Sequence, residues 1–252
     1  MKILIPYMSI VLMLLVFNIN NLSAQRYWTF ELHGGWAGNL PLPLRIKQQG
    51  YPGIYIKRAK FYSEPFISPY YWDWRFCKHV DKHSIEFEAI HHKLYLDNKP
   101  PEVQRFGISH GFNILTLNYG YKFKYFLFRN GIGSVLMHPE STIRNKVYPE
   151  GPGFDIKGYV LRGLVYNTAV AKQFYFLRKR LYLNTELKAT FARANAPIVD
   201  GTATVNNIAL QAIVGLGVRF AGNKKRLHYL HKSKQCSLSK KILSDCLVQI
   251  FD

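Results

Sequence analysis

Residues 207–220 read NIALQAIVGLGVRF, and they alternate. Ile208, Leu210, Ala212, Val214, Leu216, Val218 and Phe220 lie on one face of an extended chain. Asn207, Ala209, Gln211, Gly215, Gly217 and Arg219 lie on the other, with Ile213 its one apolar exception. Period two over this length predicts a β-strand, because successive strand side chains point to opposite faces. The pattern recurs upstream. Leu181, Leu183, Thr185, Leu187, Ala189 and Phe191 oppose Tyr182, Asn184, Glu186, Lys188 and Thr190. Within residues 105–123, Leu115, Leu117, Tyr119, Tyr121 and Phe123 oppose Thr116, Asn118, Gly120 and Lys122. Within 84–96, Ile85, Phe87 and Ala89 oppose Glu86 and Glu88, and the phase slips at Ile90-His91-His92 as a bulge would make it. Tyr70, Trp72, Trp74 and Phe76 alternate with Tyr71, Asp73 and Arg75, and Trp28, Phe30 and Leu32 with Thr29, Glu31 and His33. Residues 126–137 and 159–174 alternate poorly, and the sequence does not assign their faces.

Of these eight segments, the six whose faces can be assigned share an inverted distribution of charge. Glu31, Asp73, Arg75, Glu86, Glu88, Lys122, Glu186, Lys188 and Arg219 place both signs in mid-strand on one face, while the opposite rows are almost uncharged. A soluble sandwich or a lipocalin buries its apolar face and wets its polar one. Here the aromatic row at 70–76 suits a lipid interface, and mixed charges can pair inside a narrow barrel. The expected fold is all-β: an eight-stranded antiparallel transmembrane β-barrel with a filled polar lumen. Composition agrees, since only 19% of the 252 residues are charged and 15% are aromatic, against roughly 25% charged in ordinary soluble domains. Connection lengths also alternate. Residues 38–65, 97–104, 138–158 and 195–203 form long external connections, and 78–83, 124–125 and 177–180 short ones, which puts both barrel ends on the periplasmic side.

Residues 1–24 read as a secretory signal peptide: Lys2, an apolar run at 3–17, and a small-residue end Leu22-Ser23-Ala24 before Gln25. The barrel is expected over 25–220 and a basic tail over 221–252, either a disordered extension or an arm for anionic head groups. Lys+Arg number 34 against 15 Asp+Glu, a net charge of +19 that excludes an acidic or neutral cytosolic protein. No nucleic-acid module accompanies that charge, and no GxGxxG, P-loop or HExxH occurs, so no nucleic acid and no cofactor are expected. Cys77, Cys236 and Cys246 form no zinc or redox pair.

The signal ending in Ala24-Gln25, the eight alternating strands and the final Gly215-Leu216-Gly217-Val218-Arg219-Phe220 resemble the small outer-membrane β-barrel proteins of Gram-negative bacteria. The resemblance implies an outer-membrane location and a terminal aromatic, Phe220, read by the barrel-assembly machinery. Barrels of that class usually stop at this aromatic, whereas this chain continues to Asp252.

Two candidate sites follow from the expected topology. Arg45, Lys47, Lys57, Arg58 and Lys60 lie in the first external connection, where cationic groups suit the phosphates of lipopolysaccharide. The outer ends of the third to fifth strands gather His91, His92, Ser109, His110, Asn113, His138 and Glu140. A serine, an imidazole and a carboxylate are the ingredients of acyl hydrolysis. They resemble the arrangement in outer-membrane lipid A deacylases, though the His-x-Ser spacing of that family is absent, and the adjacent Ser109 and His110 would point apart on a regular strand. The same argument disfavours a metal site at His91, His92 and His138. The expected function is a structural or surface-interaction role through the external loops, contacting lipopolysaccharide and outer-membrane lipid. The alternative is an enzyme acting on lipid A or phospholipid acyl chains.

Overall fold

A computed structural model describes residues 26–148 and 158–220; the signal-peptide and tail expectations lie outside the described residues. Each alternating segment forms a strand: Arg26–Asn39 (β1), Trp72–Val80 (β2), His83–His91 (β3), Val103–Phe123 (β4), Phe126–Ile143 (β5), Leu164–Phe176 (β6), Leu181–Ile198 (β7) and Gly201–Phe220 (β8). Each strand pairs antiparallel with its neighbours in sequence order, and β8 pairs with β1 from Trp28↔Phe220 to Asn39↔Ala209. The sheet is therefore a closed ring of eight strands. Closure leaves no edge among them, so every strand finds backbone partners on both sides.

The poorly alternating strands acquire faces. In β5 Leu127, Arg129, Val135 and Met137 are buried while Phe126, Phe128 and Ile132 are exposed. In β6 Val165, Asn167, Ala169 and Ala171 are buried, and Leu164, Tyr166 and Phe174 exposed. The alternation was masked because the inward positions are occupied by small or apolar residues, Gly131 and Gly133 among them.

Strand length brings a second principle into the fold. About 9 to 11 residues of a tilted strand cross a bilayer, whereas β4 has 21 residues and β8 has 20. Strands of this length are taller than a bilayer needs, and the polarity of the wall inverts along them. Toward the short-turn end the interior is polar and the exterior apolar. Toward the other end the interior holds Ile90, Ile114, Val135, Met137, Ala194, Ile198 and Val205, all buried in one apolar cluster. The outward face there carries Arg193, Asn195, Gln104 and Arg105. The inward face of β7 shows the switch, running Tyr182, Asn184, Glu186, Lys188, Thr190 and then Ala192, Ala194, Ala196, Ile198.

The first external connection is more ordered than its basic, proline-containing sequence suggests. Leu42–Gln48 resumes the course of β1 beside β8, from Leu44↔Val205 to Gln48↔Gly201. It then folds back on Ile54–Ala59 as a hairpin. The last external connection shrinks likewise: β7 and β8 run on past 195–203 and meet in a turn at Val199-Asp200, so that segment is strand rather than loop.

Candidate functional site

The outer hairpin has the alternation of a strand. Leu44, Ile46 and Gln48 are buried, which turns Arg45 and Lys47 outward. Arg45 pairs with Tyr55 across the hairpin, its guanidinium 5.2 Å from the ring centroid. Lys57 and Arg58 line a shallow groove with Tyr55, Asn98 and Lys99. Asn98 fixes that edge: its Nδ2 donates to the Arg58 carbonyl at 2.8 Å and its Oδ1 accepts from the Lys60 amide at 2.7 Å. All five basic residues singled out in the sequence are exposed here. Four of them stand on the hairpin strands, backed by Leu44, Ile46 and Ala59 of the apolar cluster, and Lys60 follows directly after the second strand.

The Ser/His group sits where β4 breaks register. Pairing of β4 with β5 is interrupted between Ile108 and Phe112, and Gly111 takes φ +125°. The irregular backbone overrides the alternation that would send neighbouring side chains apart, and Ser109 Oγ lies 3.2 Å from His110 Nδ1. The His138 ring meets His110 edge-on, centroids 5.1 Å apart, and Tyr159 Oη donates to the His110 carbonyl at 3.0 Å. Glu140 is buried with Arg105 Nη2 2.5 Å from its Oε2. Asn113 Oδ1 is 2.7 Å from His91 Nδ1. His92 does not join this group, because the chain turns it toward β1, where its Nε2 is 3.0 Å from Asn39 Oδ1. Burial, reinforced by neighbouring His91, pushes the His92 imidazole down to about 3.

The interior of the other half is a network of fully buried charges. Arg75 donates to Glu31 at 2.7 Å and to Glu186 at 2.9 Å, and also meets Glu88. Arg129 Nε donates to Glu86 at 2.7 Å and its Nη1 to Glu186 at 2.5 Å. Lys188 reaches Asp73 at 2.5 Å and Glu88. Asn118 and Asn167 donate to the remaining Glu88 oxygen at 2.7 and 2.6 Å, and Tyr182 Oη to Glu31 at 2.6 Å. Charges so far from water are tolerable only when paired and hydrogen-bonded to this extent. Asp73, Glu88 and Glu186 converge closely enough to suggest a metal site, but Arg75 and Lys188 already neutralise them. Around this polar core, Phe30, Leu32, Phe87, Leu117, Ile132, Leu187, Val214 and Leu216 are exposed on the outside. No aqueous protein presents charge to its core and a continuous apolar belt to its solvent.

The chain is a transmembrane β-barrel. Solved structures that it is similar to include the outer-membrane protein AlkL in lipid bilayers, with 12% identity, 81% of this chain and 96% of that one covered, and a TM-score of 0.46. Others are Ail, the attachment invasion locus protein of Yersinia pestis (8% identity, 79% and 100% covered, TM-score 0.35), and Neisserial surface protein A (12%, 79% and 100%, TM-score 0.36). No protein-family model matches the sequence, and no curated protein matches it.

Two features of the barrel escaped sequence reasoning. Arg129 is central to the lumen, and the available signal was a lone arginine in an apolar segment, Phe126 to Phe128 before it and Gly131 to Gly133 after. The hairpin strand Leu42–Gln48 was announced by Leu44, Ile46 and Gln48 at period two, obscured by Pro41, Pro43 and the basic residues between them.

Proposed function

We propose that this barrel resides in the outer membrane of a Gram-negative bacterium as a surface-binding protein whose outer half contacts phosphorylated lipopolysaccharide. The observation that carries the reading is the outer hairpin, where Arg45, Lys47, Lys57 and Arg58 project from its two strands and Lys60 follows directly after the second. A rigid platform binds a polyanion without first ordering a loop, and several cations close together multiply weak individual phosphate contacts. The filled lumen favours binding over conduction, since side chains occupy the path a solute would take. The test is binding of purified full-length protein to lipopolysaccharide, with and without removal of its phosphates, compared with Lys57→Gln/Arg58→Gln/Lys60→Gln. The variant should bind about tenfold more weakly, roughly 1.4 kcal/mol, and phosphate removal should abolish the difference. Equal binding by both proteins rejects the platform.

A second reading is favoured by the 3.2 Å approach of Ser109 Oγ to His110 Nδ1. On it, His110 takes the serine proton as Oγ attacks an acyl ester, returns it to the alcohol that leaves as the ester C–O bond breaks, and water then hydrolyses the acyl-serine to free fatty acid and restores Ser109. Release of fatty acid from lipid A or phospholipid by wild-type protein, lost in Ser109→Ala, would support it; no release by wild type ends it.

A further inference from the structure

The short-turn end of the barrel carries charge of its own. β6 and β7 are joined through Leu177–Lys179 and Arg180, and Leu177, Arg178 and Lys179 take φ of 45°, 56° and 63°. Three successive non-glycine residues in the left-handed region are strained, since Cβ crowds the backbone there. The turn carries Arg178, Lys179 and Arg180 in succession, all exposed. Lys122 at the end of β4 stands within electrostatic reach of both Lys179 and Arg219. An anion placed among cations gathered at one rim offsets their mutual repulsion.

The neighbouring surface says what kind of anion. Phe126 of β5 pairs with Lys172 of β6, so the Lys124-Tyr125 turn lies beside the last residues of β6. Lys124 Nζ sits 5.4 Å from the Phe123 ring centroid and Lys172 Nζ 5.1 Å from that of Phe174. Tyr125 is 77% and Leu177 65% exposed, apolar surface immediately beside the cations. A soluble polyanion would neutralise the charges and leave this apolar surface in water. A diacyl lipid with an anionic headgroup satisfies both, acyl chain on the aromatic rim and phosphate among the cations.

We propose that the β5–β6 side of the short-turn rim, with Lys124, Arg178 and Lys179 around the headgroup, is a binding site for an anionic phospholipid. In the outer-membrane orientation this rim meets the phospholipid leaflet, while the lipopolysaccharide platform lies at the opposite end, so the two proposals fail independently.

The experiment is native mass spectrometry of full-length protein in detergent, titrated with phosphatidylglycerol or phosphatidylcholine. Wild type should retain phosphatidylglycerol at least about tenfold better. Lys124→Gln/Arg178→Gln/Lys179→Gln should lose that preference, and the outer-platform variant Lys57→Gln/Arg58→Gln/Lys60→Gln should keep it. Equal retention of the two lipids by wild type, or a preference unchanged in the rim variant, overturns the proposal. Competition by glycerophosphate or polyglutamate as effective as by intact lipid also overturns it, since the site would then read a free anion or an acidic polymer. Should the rim variant fail to fold, wild type in about 1 M salt decides, because screening over roughly 3 Å must erase a preference that rests on these charges.

Discussion

Arg75 and Glu186 clasp one another across the lumen. Nη2 of Arg75 donates to Oε1 at 2.9 Å and Nη1 to Oε2 at 3.2 Å, joining β2 to β7, which are not neighbours in the ring. The planar guanidinium fork suits two carboxylate oxygens at once and braces the barrel from inside.

Replacing Arg75 by Leu should therefore destabilise the barrel by about 3 to 5 kcal/mol, because Glu31, Glu88 and Glu186 are left buried with too few cations. Arg75→Lys should lie between, keeping the charge without the fork. Urea unfolding in detergent, followed by gel mobility with and without boiling, measures both.

The lipid-facing row should be sensitive according to depth. Val214 lies about midway along the lower part of β8 and is 51% exposed, whereas Leu210 lies near the level where the interior turns apolar. Val214→Arg should cost about 2 to 4 kcal/mol and impair insertion, and Leu210→Arg about 0 to 1. Gln211→Arg will not be the mild change that an inward position alone suggests, since Gln211 accepts from Tyr71 at 2.6 Å and donates to Thr190 at 3.1 Å. Membrane-inserted yield of the three variants orders them.

Gly217 makes room for Tyr182. A Cβ at Gly217 would overlap the Tyr182 ring, whose hydroxyl donates to Glu31 at 2.6 Å. Gly217→Ala should cost about 1 to 3 kcal/mol by overpacking. Combining it with Tyr182→Ala should give less than the sum of the single losses in the same unfolding assay, the signature of a shared contact.

Acid should loosen the outer half. His92 is held at about 3 in the folded chain against an ordinary value of 6.5, so below pH 6.5 the unfolded state takes up a proton that the folded state refuses. Stability falls with pH from about 6.5 toward 3, by about 2 kcal/mol at pH 5, and His92 has no such effect above 6.5. Protection factors around residues 39 and 92, taken relative to the intrinsic exchange rate at each pH, should fall between pH 7.5 and 5.0 in wild type and fall less in His92→Asn.

Much of the barrel was legible in particular residues. The clean alternation that runs from Ile208 to Phe220 is absent from the sequence of β5 and β6. In β7 and β8, by contrast, each residue's side of the wall follows from its place in the sequence, as Glu186 and Lys188 inside and Leu187 outside attest. The candidate sites were less legible. Adjacency of Ser109 and His110 argued against their meeting until the register break between Ile108 and Phe112 was seen to bring them to 3.2 Å. His92, neighbour to His91 in sequence, went to a different partner on β1.

By itself the sequence determined the eight barrel strands, the faces of all of them but β5 and β6, and the inversion of polarity that demands lipid, because a strand's two faces are fixed locally by the period of the backbone. Only the tertiary structure decided which charges meet. Arg75 finds Glu186, 111 positions away, and Arg129 finds Glu31 and Glu86, because ring closure and strand stagger set what lies opposite across the lumen. That stagger belongs to the closed sheet as a whole and to no single strand.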